Sequence, residues 1–287
     1  MEMVSDTIQN WRGSIIQHGK SSNRVYLMVL HPEDAGEIVP YLDKLAIENQ
    51  YTKIFAKIPI GYEKIFAEAG YEREALIPGF YRGEKDALFL GKFFSSERRL
   101  DEHPSRIREV IEAAREKALA SEAEAGIGDL TIRKASIRDI PELCRIYREV
   151  FSSYPFPIYE ERYLAETMRT NVRYYVACGG SGIAGVSSSE MAPDAGNTEM
   201  TDFATLPGYR GRGLATALLR FMDADMALEG FFTGYTIARA VSYGINITFA
   251  RNGYKFAGTL INNTNIAGSI ESMNVWFKRL RLPDLKS

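Results

Sequence analysis

The sequence predicts the α/β class, with a mixed central sheet flanked by helices. Strand-like segments alternate with helical segments along all 287 residues, and a glycine-rich turn joins one strand to the helix that follows it. Apolar residues make up 45% of the chain and charged residues 25%, which is typical of globular proteins. The length allows two cores. We divide the chain into a first α/β domain (1–95), a charged connecting helix (96–129) and a second domain (130–287).

The first domain begins with a predicted hairpin, whose two strands flank a Gly-Lys-Ser-Ser-Asn turn. Pro32 opens the first helix, and Gly70 ends the second. In chain order, the predicted elements are strands 14–17 and 24–30, helix 32–49, strand 53–58, helix 62–69, and strands 71–81 and 87–94.

The connecting segment is rich in charge, and Pro104 suits the first position of a helix. A narrow apolar stripe that begins at Ile107 predicts a helix to about Ala125, ended by Gly126. We interpret it as a connector with a solvated charged face rather than as a functional element.

The second domain alternates more regularly between strands and helices. Its predicted elements are strand 130–134, helices 137–151 and 162–168, strands 173–178 and 183–189, a strand from 199 to 206, helix 214–228, strand 233–239, helix 241–251, and strands 254–261 and 272–280.

The two ends of the chain share a pattern. Residues 66–71 (Phe-Ala-Glu-Ala-Gly-Tyr) resemble 249–254 (Phe-Ala-Arg-Asn-Gly-Tyr), and residues 54–57 resemble 236–239. Both regions follow the order strand, helix, strand, helix, strand, strand. We hypothesise that the first domain is a degenerate copy of the later half-domain. A chance similarity between two short α/β segments is the alternative.

The most informative segment is Arg210-Gly211-Arg212-Gly213, between a predicted strand and the helix that begins at Leu214. Glycines let backbone N–H groups approach a ligand closely. The start of the helix adds unpaired N–H donors and the positive end of its dipole. With two arginines, this turn is suited to phosphate oxygens.

Other phosphate-binding motifs fit this turn less well. No Gly-Lys-Ser/Thr follows it, so it is not a P-loop. Thr216 replaces the third glycine of a dinucleotide fingerprint, and the next strand ends in Arg239 rather than in an acid. An ordinary strand–helix turn stays open. The corresponding turn of the first domain (31–36) has two acids and no arginine, so it should repel a pyrophosphate.

Composition narrows the class of function. A net charge of −2 gives no reason to expect binding to nucleic acid or to an anionic membrane. Cys144 and Cys178 form no metal or redox motif. All three histidines precede residue 104, so we expect neither a histidine-dependent nucleophile nor a metal in the second domain. The acidic N-terminus and the lack of a long apolar run predict a cytoplasmic protein.

The pattern Arg-x-x-Gly-x-Ala at Arg210, Gly213 and Ala215 resembles the acetyl-CoA turn of the GNAT N-acetyltransferases. The order of elements after residue 130 resembles the GNAT fold. Four segments, together with the N-terminal extension, resemble the beta-lysine N-acetyltransferases within that family. These segments are 154–159, 249–254, 260–264 and 271–276.

The resemblance implies a GNAT fold preceded by a degenerate half-GNAT domain, with acetyl-CoA as the acetyl donor. The turn would hold the pyrophosphate, and the strand before it would pair with the pantetheine arm. The implied acetyl-CoA contacts are Ala204, Thr205, Leu206, Arg210, Gly211, Arg212, Gly213, Leu214, Ala215 and Asn246.

Acetyl transfer requires a neutral amine, and deprotonating a lysine-type ammonium of pKa about 10.4 at pH 7 costs roughly 4–5 kcal/mol. Glu199 and Asp202, before the turn, are the candidate bases, and we prefer Glu199. A regular strand would point them to opposite faces unless a bulge breaks the alternation. Each is alternatively a surface carboxylate. Relatives often use a tyrosine on the last helix to donate a proton to the departing thiolate, but this chain has Phe249 at that place. The proton donor is therefore Tyr243, Tyr254 or no residue, and the sequence leaves these alternatives open.

The implied acceptor, beta-lysine, carries one carboxylate and two ammonium groups. Arg239 is the candidate partner for the carboxylate, with a surface ion pair as the alternative, and Glu190 is the candidate for an ammonium. Tyr154, Phe156 and Tyr159 lie in the loop that walls the acceptor site in GNAT enzymes. Such a wall suits an alkyl chain and a cation, and core packing is the alternative.

Other functions stay open at this point. A phenylalanine at position 249 favours an acetyl-CoA-binding regulatory module without turnover. A dinucleotide-binding protein would bind NAD and not coenzyme A. Another small amine or amino acid is the alternative acceptor. We expect a small-molecule amine as the partner, no nucleic acid and no membrane, and a homodimer is possible.

Overall fold

The computed structural model describes residues 6–119, 126–180 and 182–280, which form one mixed sheet of thirteen strands with helices packed on it. The predicted α/β class is confirmed. The strands are β1 (Thr7–Trp11), β2 (Ser14–Gly19), β3 (Arg24–Val29), β4 (Lys53–Pro59), β5 (Glu72–Tyr81), β6 (Lys85–Phe93), β7 (Thr131–Lys134), β8 (Val172–Gly179), β9 (Gly182–Ala192), β10 (Asn197–Thr205), β11 (Thr233–Arg239), β12 (Lys255–Ile266) and β13 (Ser269–Arg279).

Eight α-helices connect these strands within the described ranges. They are α1 (Ile38–Glu48), α2 (Glu63–Glu68), α3 (Ser96–Arg99), α4 (Pro104–Leu119), α5 (Ile140–Val150), α6 (Glu161–Thr170), α7 (Leu214–Leu228) and α8 (Tyr243–Arg251). None of them is long and apolar enough to cross a membrane.

Some elements differ from the sequence prediction. The short elements β1 and α3 were not predicted, and the segment at Pro32–Asp34 is a separate 3-10 helix before α1. The polar residues 262–264 fall between the predicted strands 254–261 and 272–280 but lie within β12, where a bulge shifts the pairing with β13 between Leu260 and Thr264. The predicted end of the connecting helix near Ala125 lies outside the described residues.

The two halves of the sheet follow the same strand order from its centre outward. The first half runs β5-β6-β4-β3-β2-β1, and the second half runs β12-β13-β11-β10-β9-β8 with β7 at the edge. Parallel pairing occurs between β3 and β4 and between β10 and β11, at equivalent places. This is the order expected if the first half is a degenerate copy of the second.

The halves meet where Ala75 on β5 pairs with Gly258 on β12. Gly258 has φ +153°, and a Cβ there would lie 2.0 Å from the carbonyl oxygen of Glu74, so this approach requires glycine. Nearby, the buried Lys53 ammonium donates to Glu74 Oε2 (2.8 Å) and to the Ile261 carbonyl (2.7 Å). The hydrogen bond to Ile261 on β12 holds the first half against the second, and the ion pair with Glu74, within the first half, keeps Lys53 in place for it.

The strands of the second half bury both faces. Tyr174 on β8 packs in the core beside α5 and α6, whereas its neighbour Tyr175 packs in the core beside α7. On β10, Met200 lies in the α7 core. Since side chains alternate along a strand, Glu199 and Thr201 face the other side, toward α6 and the first half.

Candidate active site

A cavity of about 110 Å³ lies between the two halves of the sheet. Strands from both halves and the loop between α5 and α6 form its walls, so neither half encloses it alone. Its polar lining residues are Arg24, Lys57, Ser188, Glu190, Glu199, Thr201, Asp202, Asn263 and Thr264.

The second half contributes an acidic wall. Glu199 on β10 pairs directly with Glu190 on β9, and both side chains line the cavity. Two carboxylates opposite each other on adjacent antiparallel strands repel, so this pair is costly unless a cation lies between them. Both residues keep some accessible surface, and that surface faces the cavity.

A bulge brings Asp202 onto the same wall. The pairing of β10 with β9 shifts between Thr201 and Ala204, and Asp202 takes φ +55°. The bulge therefore places Asp202 in the cavity together with Glu199, although a regular strand would separate them. The hydroxyls of Tyr154 and Ser188 donate to the two oxygens of Asp202 and hold it in place.

Burial raises the pKa of each of these three carboxyls above its ordinary value. For Glu199, burial and then the charge of Glu190 raise the pKa to about 8, against smaller opposing effects of Lys57 and of a hydrogen bond from Tyr235. For Asp202, hydrogen bonds oppose the effect of burial. The cavity thus favours cationic ligands, which would stabilise the ionised carboxylates.

The first half contributes a basic and aromatic wall. The Lys57 ammonium donates to Tyr235 Oη at 3.3 Å. It lies 6.0 Å from the ring centroid of Tyr26, 5.8 Å from that of Phe80 and 5.6 Å from that of Tyr235. The pKa of Lys57 is raised; burial acts to lower it, and the nearby Tyr26, Glu199 and other acidic groups outweigh that effect. Lys57 is therefore a charged ammonium at the cavity.

The buried Arg24 lies on the same wall. Its Nη1 donates to the Asn263 carbonyl (2.7 Å) and to Thr264 Oγ1 (2.9 Å). Two buried atoms of these cavity-lining residues, Arg24 Nε and Asn263 Oδ1, have no hydrogen-bond partner in the described part of the chain. Unpaired buried polar atoms are uncommon in proteins, and these two belong to residues that line the cavity.

The glycine-rich turn has the geometry of an anion site. Gly211 and Gly213 have φ of +77° and +76°, and α7 begins directly after Gly213. The first N–H groups of the helix point into the turn. Within the described residues no side chain caps them, so they are available to a ligand. Arg210 and Arg212 are exposed beside it. The turn therefore fits a pyrophosphate by backbone donors, helix dipole and charge.

Strands β10 and β11 separate just before this turn. They pair in parallel only from Asn197 to Glu199 on β10, while β11 continues its pairing with β13 as far as Arg239. The Leu206 N–H donates to the Ala184 carbonyl at the β9 side. Because successive N–H groups of a strand point to opposite edges, the Thr205 N–H faces the gap. The gap can accept an extended arm between the turn and the cavity.

Three of the five predicted substrate residues line the cavity, and two do not. Tyr154, Phe156 and Glu190 line the cavity, together with the aromatic residues of both halves. Tyr159 donates through its hydroxyl to the Phe151 carbonyl (3.1 Å) and lies outside the cavity lining. Arg239 also lies outside it.

Arg239 is engaged elsewhere, with its Nη2 2.7 Å from Glu271 Oε1. Lys57, which the sequence pattern aligns with Arg239, occupies the cavity in its place. The sequence analysis did not single out Lys57. The repeat is the signal that could have found it, because the contact between the halves is not local in sequence.

Asn246 is fully buried and forms four hydrogen bonds within the protein. Its Nδ2 donates to the carbonyls of Arg239 (2.9 Å) and Ser242 (2.7 Å), and its Oδ1 accepts from Asn274 Nδ2 and Trp276 Nε1. These partners occupy both ends of the amide, so its side chain has a structural role in this arrangement.

The two tyrosines that were considered as proton donors form hydrogen bonds with other residues of the protein. Tyr254 is buried and donates to Asp223 Oδ1 (2.6 Å), and Tyr243 contacts Arg106 and Glu109 on α4. Phe249 packs edge-to-face on Tyr254 in the core. The described residues therefore offer no tyrosine from α8 or its C-terminal end to the leaving thiolate.

The corresponding turn of the first half cannot take a pyrophosphate in the same way. Asp34 is buried there and accepts hydrogen bonds from the Gly13 N–H (3.1 Å) and from Ser14 Oγ (2.6 Å). Strands β3 and β4 stay paired over four residues from Arg24. A carboxylate fills the place of the anion.

The turn, the gap and the cavity together have the form of a site for an acyl-CoA and an amine, and residues 140–254 match the acetyltransferase (GNAT) family. The chain belongs to this family. It is an acetyl-CoA-dependent N-acetyltransferase.

Full-length relatives extend the similarity to the first half. The chain is 36% identical to the beta-lysine N(6)-acetyltransferase of Methanococcus maripaludis, over 92% of this chain and 96% of the relative. It is 30% identical to the N-acetyltransferase YodP of Bacillus subtilis, over 93% and 96%. It is 29% identical to the beta-lysine N(6)-acetyltransferase of Methanosarcina mazei, over 85% and 97%.

Proposed function

We propose that this enzyme transfers acetyl from acetyl-CoA to the ε-amine of beta-lysine, in a ternary complex. The observation that carries this proposal is the charge of the cavity. Glu190, Glu199 and Asp202 face Lys57 and Arg24, which leaves one negative charge when all are ionised. Beta-lysine, with two ammonium groups and one carboxylate, carries the complementary single positive charge. The names of two relatives support the same acceptor.

Residues of the turn and of β10 would hold the donor. The N–H groups of Gly213, Leu214 and Ala215, with Arg210 and Arg212, suit the pyrophosphate, and the free edge of β10 near Thr205 suits the pantetheine arm. Acetyl-CoA supplies a reactive thioester at the end of this arm. The Thr205 N–H, which faces the gap, is the candidate donor to the developing oxyanion.

Glu199 is the proposed base. A pKa of about 8 suits a group that must take a proton from an ammonium near neutral pH. Asp202 is a weaker candidate, because two hydroxyl hydrogen bonds stabilise its ionised form. In the reaction Glu199 takes one proton from the ammonium, and the neutral amine attacks the carbonyl carbon. The carbon–sulfur bond then breaks, and the second proton that the nitrogen loses goes, directly or through solvent, to the departing thiolate, which leaves as the thiol of coenzyme A. Glu190 and Asp202 attract the ammonium groups.

The product of this reaction would be N-ε-acetyl-beta-lysine, which has lost one positive charge and is a net-neutral zwitterion. A role in osmolyte biosynthesis in the cytoplasm is consistent with such a product, and we propose it on that ground. The first half then acts as a degenerate copy that closes the acceptor site.

Release of coenzyme A from acetyl-CoA tests the proposal, with beta-lysine, alpha-lysine, spermidine and no acceptor. We expect turnover with beta-lysine to exceed turnover with the other acceptors. Turnover only with other amines would contradict the acceptor assignment. The occupied tyrosines near Phe249 favour one other candidate, a regulatory acetyl-CoA-binding module. Binding of acetyl-CoA without turnover on any amine would favour that candidate.

A further inference from the structure

We propose that Lys57, from the first half, binds the carboxylate of the acceptor and so makes the enzyme select an amino acid over a carboxylate-free polyamine. This inference rests on the proposed acetylation of beta-lysine and names the residue that recognises its acid group. It also gives the first half a direct part in substrate selection.

The Lys57 ammonium has unused donors. An ammonium has three N–H groups, and the hydrogen bond that Lys57 forms within the described residues goes to Tyr235 Oη at 3.3 Å. No carboxylate among those residues lies within ion-pair distance of it. Rings of Tyr26, Phe80 and Tyr235 surround the group and limit the access of water. Lys57 is partly buried, and a charge with free donors in such a setting is costly unless a ligand pairs with it.

The position of Lys57 fits the end of the acceptor that does not react. Lys57 donates to Tyr235, which pairs with Glu199 on β10, whereas Asp202 lies three residues further along β10 in the direction of the turn. An acceptor whose ε-amine points to the gap would extend away from the turn. Its carboxylate then meets Lys57, and its β-ammonium lies beside Glu190.

The test compares Lys57→Met with wild type on two acceptors, beta-lysine and beta-lysinamide. The amide keeps the skeleton and both amines but lacks the negative charge. Charge-assisted hydrogen bonds are typically worth a tenfold to hundredfold change in affinity, so wild type should prefer beta-lysine by about that factor in kcat/KM. In Lys57→Met the ratio should fall close to one, through a higher KM for beta-lysine.

Lys64→Met is the matched control, since Lys64 is exposed on α2 and pairs only loosely with Glu68 at 3.8 Å. It should keep the wild-type ratio. An unchanged KM for acetyl-CoA and an unchanged melting temperature show that Lys57→Met is folded. If Lys57→Met is less stable than wild type, calorimetric titration at low temperature gives the ratio of its affinities for the two acceptors instead.

An unchanged ratio in folded Lys57→Met overturns the role of Lys57 and leaves the proposed function intact. Wild type that turns over both acceptors equally also overturns it. Wild type that does not acetylate beta-lysine overturns the proposed function, and the inference with it.

Discussion

Glu190 and Glu199 lie directly opposite each other on the antiparallel strands β9 and β10, with both side chains in one cavity. Like charges in this arrangement destabilise a sheet, so the pair lowers the stability of the empty enzyme. An ammonium between them would remove the repulsion. Local cost of this kind is expected at a functional site.

Glu199→Gln should lower kcat strongly. Loss of a general base typically costs about 10²- to 10⁴-fold, and the amide cannot accept the proton from the ammonium. Glu190→Gln is the matched comparison, since it removes the opposing charge and should mainly raise KM for the acceptor. Steady-state kinetics with acetyl-CoA held at saturation distinguishes the two effects. Equal loss of kcat in both variants would contradict the assignment of the base to Glu199.

The stability of the unliganded enzyme should fall as pH rises from about 4.5 to about 8. The pKa of Glu199 is raised from an ordinary 4.5 to about 8, so in this window the folded state binds more protons than the unfolded state. The stabilising effect of the protonated carboxyl is complete below pH 4.5 and is lost by about pH 8.

Thermal melts of wild type and Glu199→Gln across this range measure the effect. The variant cannot ionise at this position, so its melting temperature should rise relative to wild type as the pH increases. Parallel curves for the two proteins would mean that Glu199 does not titrate in this window.

Gly211→Ala should weaken binding of coenzyme A by about tenfold. Gly211 has φ +77°, which costs a residue with a Cβ roughly 1–2 kcal/mol, so the turn would rearrange. Gly208→Ala is the control in the same loop: a Cβ at either position meets no atom within 4 Å, but φ is positive only at Gly211. Calorimetric titration with coenzyme A gives both affinities. Similar affinities would show that the conformation of the turn does not matter.

Gly258→Ala should separate the two halves of the sheet. A Cβ at Gly258 would lie 2.0 Å from the Glu74 carbonyl oxygen, and relief of such a clash typically costs about 1–3 kcal/mol or more. Gly268→Ala is the control, because Gly268 also has a positive φ, +91°, but open space around it. The first variant should lose stability and raise KM for the acceptor well beyond the second, in melts and in kinetics. Equal behaviour would mean that the junction does not position the cavity.

Local patterns predicted the parts of the site that are local in sequence. The turn at 210–213 was recognisable because glycine and arginine have a direct conformational and electrostatic meaning there. Glu199 and Asp202 were expected on opposite faces of a regular strand. The condition for their meeting, a bulge, is present, but no residue type announces a bulge at Asp202.

The acceptor side was harder to predict, because it depends on contacts across the whole chain. Lys57 and Arg24 line the cavity because β5 and β12 join the two halves of the sheet. Nothing in the sequence close to either residue indicates that it would contact a substrate. Arg239 and Lys57 occupy similar sequence contexts, yet one pairs with Glu271 and the other faces the cavity. The sequence pattern did not include Glu271, the partner with which Arg239 pairs outside the cavity.

The position of the acetyl group on the product tests the central claim most directly. Wild type would be given acetyl-CoA and beta-lysine, and the product would be analysed by fragmentation mass spectrometry. We predict a singly acetylated product with the acetyl group on the ε-nitrogen, and almost none in Glu199→Gln. Acetylation of the β-nitrogen, or no acetylated beta-lysine at all, would contradict the account.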